Sequence, residues 1–178
     1  LVWLFPGGAS RAGGVPFPEV PPAGDAPYKA RYLNRRVECH YSFMHENLMD
    51  MNHQFLHRKL MGGIKTIFLG SRVGDTWAEA TYTFKRNSGK QPLGERFMIN
   101  RAAEPAKEGE RDQMIIRTEY PYQTLKFWTA GAEHPALDLW NCYIPIDRAQ
   151  RINHTYGLMM IRRPSTPILL DLFWPIIV

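Results

Sequence analysis

Residues 46 to 57 read Glu46-Asn47-Leu48-Met49-Asp50-Met51-Asn52-His53-Gln54-Phe55-Leu56-His57. At about 100° per residue, Asn47, Asp50, His53 and His57 share roughly a third of a helix circumference and form one polar stripe. Met44, Leu48, Met51 and Phe55 fall on a different side as an apolar stripe. The pattern predicts a helix from Ser42 to Lys59, ended by Gly62 and Gly63, that packs through one stripe and aims two imidazoles and a carboxylate from the other.

Two histidines at i and i+4 on a helix bring their ring nitrogens within reach of one metal ion, and imidazole suits iron, zinc, copper or nickel. A mononuclear Fe(II) oxygenase needs two His and one carboxylate on one face of the metal, with the opposite face open to dioxygen and substrate. His53 and His57 supply the first two of that set. A zinc protease is disfavoured, because Gln54 stands where the HExxH pattern puts its general base. The spacing alone leaves a plain alternative open: two histidines paired to acids or simply hydrated.

Outward from this helix the periodicity changes to two. The stretches RYLNRRVECHY before it, and IKTIFLGSRV, TWAEATYTFKR, QMIIRTEY, TLKFWTAG, LDLWNCYIPID and HTYGLMMIRR after it, are rich in β-branched and aromatic residues and read as strands. Polar turns such as RNSGKQPLGER and RAAEPAKEGERD separate them. Sequential strands with polar connections predict an antiparallel meander rather than a doubly wound parallel sheet. The fold class is therefore α+β: one helix and a curved antiparallel sheet.

Residues 6 to 28 carry six prolines and five glycines, a composition that holds neither helix nor central strand. They are read as a linker, with residues 1–28 closing a preceding domain and 29–178 forming the next. The chain opens without Met and stops inside the apolar run LLDLFWPIIV, and on that basis is read as an internal piece truncated at both ends. A length of 178 residues at 44% apolar content suffices for one domain with a core.

The net charge of +5 comes from scattered pairs such as Arg35–Arg36, Arg58–Lys59 and Arg162–Arg163, not from the run or stripe that nucleic-acid binding requires. Solvated faces explain these pairs, with a docking surface for an acidic electron-transfer partner as the other reading. Cys39 and Cys142 fit no CxxC or secreted-scaffold spacing, so free thiols in a reduced, cytoplasmic setting are expected. The start has no basic region or cleavage site of a signal peptide. The apolar stretch 168–178 contains Asp171 and Pro175 and is about half the length a membrane span needs.

Glu46, Asn47, Asp50, His53 and His57 match, in order and spacing, the motif E-N-x2-D-x2-H-x3-4-H of Rieske-type non-haem iron oxygenases, the aromatic-ring hydroxylases with relatives such as O-demethylases and pheophorbide a oxygenase. The stretches LVWLFPGG with its Pro-rich arm, HRKLMGG and RINHTYGLMMIRRP also resemble that family, although only the helix motif is diagnostic. The resemblance implies that His53 and His57 bind a mononuclear Fe(II). It implies that Asp50 bridges to a histidine of a Rieske cluster in a neighbouring subunit, carries electrons and orients His53. Asn47 then lies near the metal, a helix hydrogen bond being its equally weighted plain role.

The same resemblance implies a helix-grip, START-like domain and a homotrimer. Electrons would come from NAD(P)H through a reductase or ferredoxin, to hydroxylate, cis-dihydroxylate or dealkylate an apolar, aromatic or macrocyclic substrate. The C-x-H and C-x2-H pairs of a [2Fe–2S] cluster are absent, with Cys39 directly before His40 and no second pair, so that cluster is expected upstream. The third iron ligand is expected beyond Val178, with Asp171 as the nearest alternative and Asp138 and Asp147 read as ends of strands or turns. For want of these groups the piece alone is expected to be inactive.

His154 is read as a satisfied core or surface histidine and His134 as an exposed turn residue. Phe84, Phe127, Trp128, Trp140, Tyr143 and Tyr156 are candidates for lining a cavity, or plain core. The rival reading is a non-enzymatic START-like module that binds a hydrophobic ligand, with the histidines incidental. An oxygenase using a 2-oxo acid usually sets H-x-D on jelly-roll strands, a pattern not found here.

Overall fold

The computed structural model describes residues 28–53, 64–86 and 111–163. The expected linker, the second half of the motif helix with His57 and Phe55, most of the two long polar turns, and Asp171 lie outside the described residues.

Among the described residues, seven strands form one sheet: β1 (Tyr28–Val37), β2 (Ile64–Val73), β3 (Trp77–Arg86), β4 (Gln113–Glu119), β5 (Tyr122–Trp128), β6 (Leu137–Pro145) and β7 (Asn153–Arg162). A helix, α1 (Tyr41–Met49), lies between β1 and β2. The spatial order is β1-β7-β6-β5-β4-β3-β2. Each neighbouring pair is antiparallel. Strands β2 to β7 thus form the expected meander, and the connection through α1 carries the chain from one sheet edge to the other.

Cross-strand partners share a face, so the register sorts the side chains. Tyr82, Met114, Phe127 and Leu137 form one such row, and Ala80, Ile116, Leu125 and Leu139 the next. Met114, Ile116, Leu125, Phe127 and Ala136 are the buried centre of this face, and Leu48, Met49 and Met51 pack against it from α1 and the turn after it. Trp140, Cys142, Leu158 and Met160 form a second cluster on the opposite face, with Tyr28, Ala30 and Tyr122 against it.

The six aromatics weighed from sequence are therefore divided. Phe84 and Phe127 face the helix side with ring centroids 5.8 Å apart, and Tyr143 meets His45 of α1. Trp128, Trp140 and Tyr156 belong to the other face by register.

Two expectations are corrected. Asp138 neither ends a strand nor sits in a turn: it lies within β6, buried, with Lys126 Nζ 3.6 Å away. Burial holds its carboxyl above the usual range and the Lys126 charge offsets part of that.

The second correction concerns α1, which ends at Met49 and does not run unbroken through Asp50 as the pattern predicts. Asp50 is its C-cap, in extended conformation, and a 3-10 turn follows over residues 51–53. The reason is local. Asp50 Oδ1 accepts the Asn52 backbone N–H at 2.8 Å, a side-chain bond that competes with continuation of the helix.

Both cysteines are free as expected, and burial pushes the Cys142 thiol up to about 11. Among the described residues, no helix is long and apolar enough to cross a membrane.

Candidate metal-binding turn

His40 caps α1: its Nδ1 accepts the Ser42 backbone N–H at 3.2 Å. The face of α1 turned to the sheet carries His45, the helix's buried residue, with Leu48 and Met49 one turn on. The sheet side of α1 and the turn after it thus takes Leu48 and Met51 from the predicted apolar stripe and adds His45 and Met49 beside them. Glu46, Asn47 and Asp50 are exposed.

Two sheet side chains hold α1 from below. Gln123, fully buried, donates from Nε2 to the His45 carbonyl at 3.0 Å and to Thr118 Oγ1 at 2.6 Å. Its Oε1 accepts from the Tyr143 hydroxyl at 3.3 Å, which in turn accepts from Asn141 Nδ2 at 3.2 Å. Burial raises the Tyr143 hydroxyl to about 12, so it stays a donor. Tyr82 on β3 donates to the Met49 carbonyl at 3.2 Å, where the helix ends.

Beyond that end, the turn organises around one carbonyl. The Asp50 oxygen accepts from the His53 backbone N–H at 3.3 Å and contacts His53 Nδ1 at 2.5 Å. A carbonyl only accepts, so Nδ1 carries the proton and in the neutral ring the lone pair lies on Nε2. This is the arrangement that prepares a histidine to bind a metal through Nε2. The contact to His53 Nδ1 comes from the Asp50 carbonyl, while Asp50 Oδ1 accepts from the Asn52 N–H.

The structure brings Asp50 and His53 together in one turn and leaves Asn47 exposed on the preceding helical turn. Among the described residues, no group of three His, Cys, Asp or Glu side chains is placed to hold a metal ion. His154 pairs with Asn34 Oδ1 and stacks on Tyr156 with centroids 4.4 Å apart, on the face away from α1. His134 is exposed. Asp147 accepts the Ile152 N–H at 2.8 Å in a turn, as expected.

His45 was not singled out from the sequence. Its ring is edge-on to Tyr143 at 4.8 Å, and among the described residues neither ring nitrogen has a hydrogen-bond partner. Burial pushes its imidazole down to about 4, so it is neutral near pH 7. A histidine next to Glu46 carried no periodic signal, because its burial depends on where the sheet lies.

Comparison with known proteins agrees with this architecture. The family described as the vanillate O-demethylase oxygenase C-terminal domain matches residues 37–175. A 4β-methylsterol monooxygenase of Methylococcus capsulatus is 32% identical over 126 residues, 69% of this chain and 31% of that protein. Among solved structures, a caffeine-bound mutant of NdmA from Pseudomonas putida CBB5 superposes with a TM-score of 0.58 at 12% identity, over 94% of this chain and 44% of that one. Dicamba monooxygenase bound to dicamba gives 0.53 at 16% identity, over 84% and 42%. The chain thus spans less than half the length of these relatives. With a family match over most of its residues, and a curated monooxygenase sharing its sequence, the chain belongs to the C-terminal, catalytic domain family of the Rieske-type oxygenases.

Proposed function

We propose that this chain is the mononuclear-iron part of a longer Rieske oxygenase that hydroxylates or dealkylates an apolar substrate. The observation that carries the reading is the His53 ring, whose proton on Nδ1 is held by the Asp50 carbonyl and whose Nε2 lone pair suits a metal. The donor set fits Fe(II): imidazole nitrogen from His53 and His57, with a carboxylate from beyond residue 178 completing the set. When bound, the iron supplies reductive activation of dioxygen.

The chain's own residues do the rest. Asp50 is exposed at the end of α1. On this reading it accepts a hydrogen bond from a cluster histidine of a neighbouring subunit and provides the route for electrons. That assignment entails a [2Fe–2S] domain ahead of residues 1–28, a homotrimer, and a reductase or ferredoxin drawing on NAD(P)H. Asn47, one helical turn before Asp50, lies near the metal. The helix-grip, START-like form and a cytoplasmic location belong to the same reading.

The support for an apolar substrate class is the relative named for a sterol; the sheet face beneath α1 is packed against Leu48, Met49 and Met51. The relative at 32% identity is named a 4β-methylsterol monooxygenase, so a methylsterol is the first of that class to assay, with aromatic methyl ethers next. The decisive experiment is anaerobic purification of the full-length protein, with iron measured per chain before and after His53→Ala and His57→Ala. Stoichiometric iron lost in both variants, with oxygen uptake coupled to product, is expected. Binding of a hydrophobic ligand without iron would instead identify a START-like binding module and overturn the oxygenase reading.

A further inference from the structure

The Tyr82 phenol meets α1 at the one carbonyl from which the metal-binding turn departs. Met49 C=O is among the last four helical carbonyls, which have no partner within the helix. Tyr82 supplies one, with its hydroxyl 3.2 Å away. A tyrosine on a sheet commonly finds some buried partner for its hydroxyl, but the consequence here is specific to the position. The Met49 oxygen and the Asp50 nitrogen belong to one rigid peptide plane. A bond on that oxygen therefore fixes the orientation in which Asp50 begins.

The other side of that plane is held by the Asp50 N–H, which donates to the Glu46 carbonyl at 2.8 Å. The next carbonyl along, that of Asp50, accepts both the backbone and the ring N–H of His53. From Tyr82 to the His53 imidazole there are thus two hydrogen bonds and a short stretch of chain. Tyr82 itself is fixed by Phe68, whose ring lies 5.5 Å away on β2, and by the core cluster under α1. Burial, with the nearby Asp50 charge adding to it, raises the phenol above its usual range, so it remains a donor at neutral pH.

We infer that Tyr82 is a positioning residue: through the Met49–Asp50 peptide it sets where Asp50 and the His53 ring stand relative to the metal. This rests on the reading of His53 as a metal ligand. The test uses the full-length protein freed of iron and titrated anaerobically with Co(II), whose visible absorption reports coordination geometry. Tyr82→Phe removes one hydroxyl and keeps the ring. It is expected to weaken Co(II) binding by about tenfold, the lower end for residues that orient a ligand, and to alter the Co(II) spectrum. Leu125→Val, on β5 in the same core cluster, is the control for simple loss of packing, expected to leave the spectrum unchanged.

Wild-type affinity and spectrum in Tyr82→Phe would overturn the inference. So would equal weakening in both variants with unchanged spectra, which is the behaviour of a merely structural residue. If the wild type binds no Co(II), or His53→Ala binds it equally well, the ligand reading itself fails and the inference falls with it.

Discussion

Protonation of His45 should separate the helix from the sheet, and the size of the effect follows from its surroundings. The rings against it are Tyr41 at 6.4 Å, Tyr120 at 6.3 Å and Tyr143 at 4.8 Å, and the group on its carbonyl is the neutral Gln123 amide. None of these carries a charge in acid, so none of these neighbours compensates an imidazolium. The imidazole titrates near 6.5 when unfolded and at about 4 in the fold. The folded state therefore takes up its proton later than the unfolded one. Stability is full above pH 6.5, declines as the pH falls through the interval, and levels off below about 4.

A shift from 6.5 to about 4 spans roughly 2.5 units at about 1.36 kcal/mol each, so the loss between pH 7 and pH 4 is about 3 kcal/mol. Urea unfolding followed by tryptophan fluorescence at both pH values measures it. His45→Phe removes the titration and the two unpaired buried nitrogens. It should equal or exceed wild type at pH 7, because unpaired buried polar atoms are costly. Its decline between pH 7 and pH 4 should be smaller than wild type by about 3 kcal/mol. Parallel pH dependences for the two proteins, or a ring nitrogen that titrates near 6.5 by NMR, would refute the reasoning.

Ile116 is fully buried at the centre of the cluster under α1, and Ile116→Ala should lower unfolding stability by about 2–5 kcal/mol in the same assay. Gly157 on β7 is required by close approach, since a Cβ there would lie 2.4 Å from Asn141 Oδ1 and 3.2 Å from Leu33. Gly157→Ala should therefore cost about 1–3 kcal/mol by urea unfolding. Adding Asn141→Ala should recover part of that loss, and strict additivity would count against the clash.

Each strand was legible because a half-buried sheet imposes a period of two that packing cannot disguise. IKTIFLGSRV, for instance, coincides with β2 residue for residue. Antiparallel order followed from the sequential pattern, and the motif from Glu46 to His57 identified the family before any coordinates. That motif did not reveal how the helix ends. Its i, i+3 spacing is compatible with continuous helix, and the break at Asp50 comes from a side chain competing for the Asn52 N–H.

By itself, then, the sequence determined the fold class and the strand set, because those depend on local periodicity and residue type. Only the tertiary structure decided which aromatics lie under α1, that His45 is buried, and that Tyr82 and Gln123 hold the helix. These depend on strands far apart in sequence meeting one helix face. The pairing register that sets such contacts turns on every residue between them, and a one-residue slip would send each side chain to the opposite face.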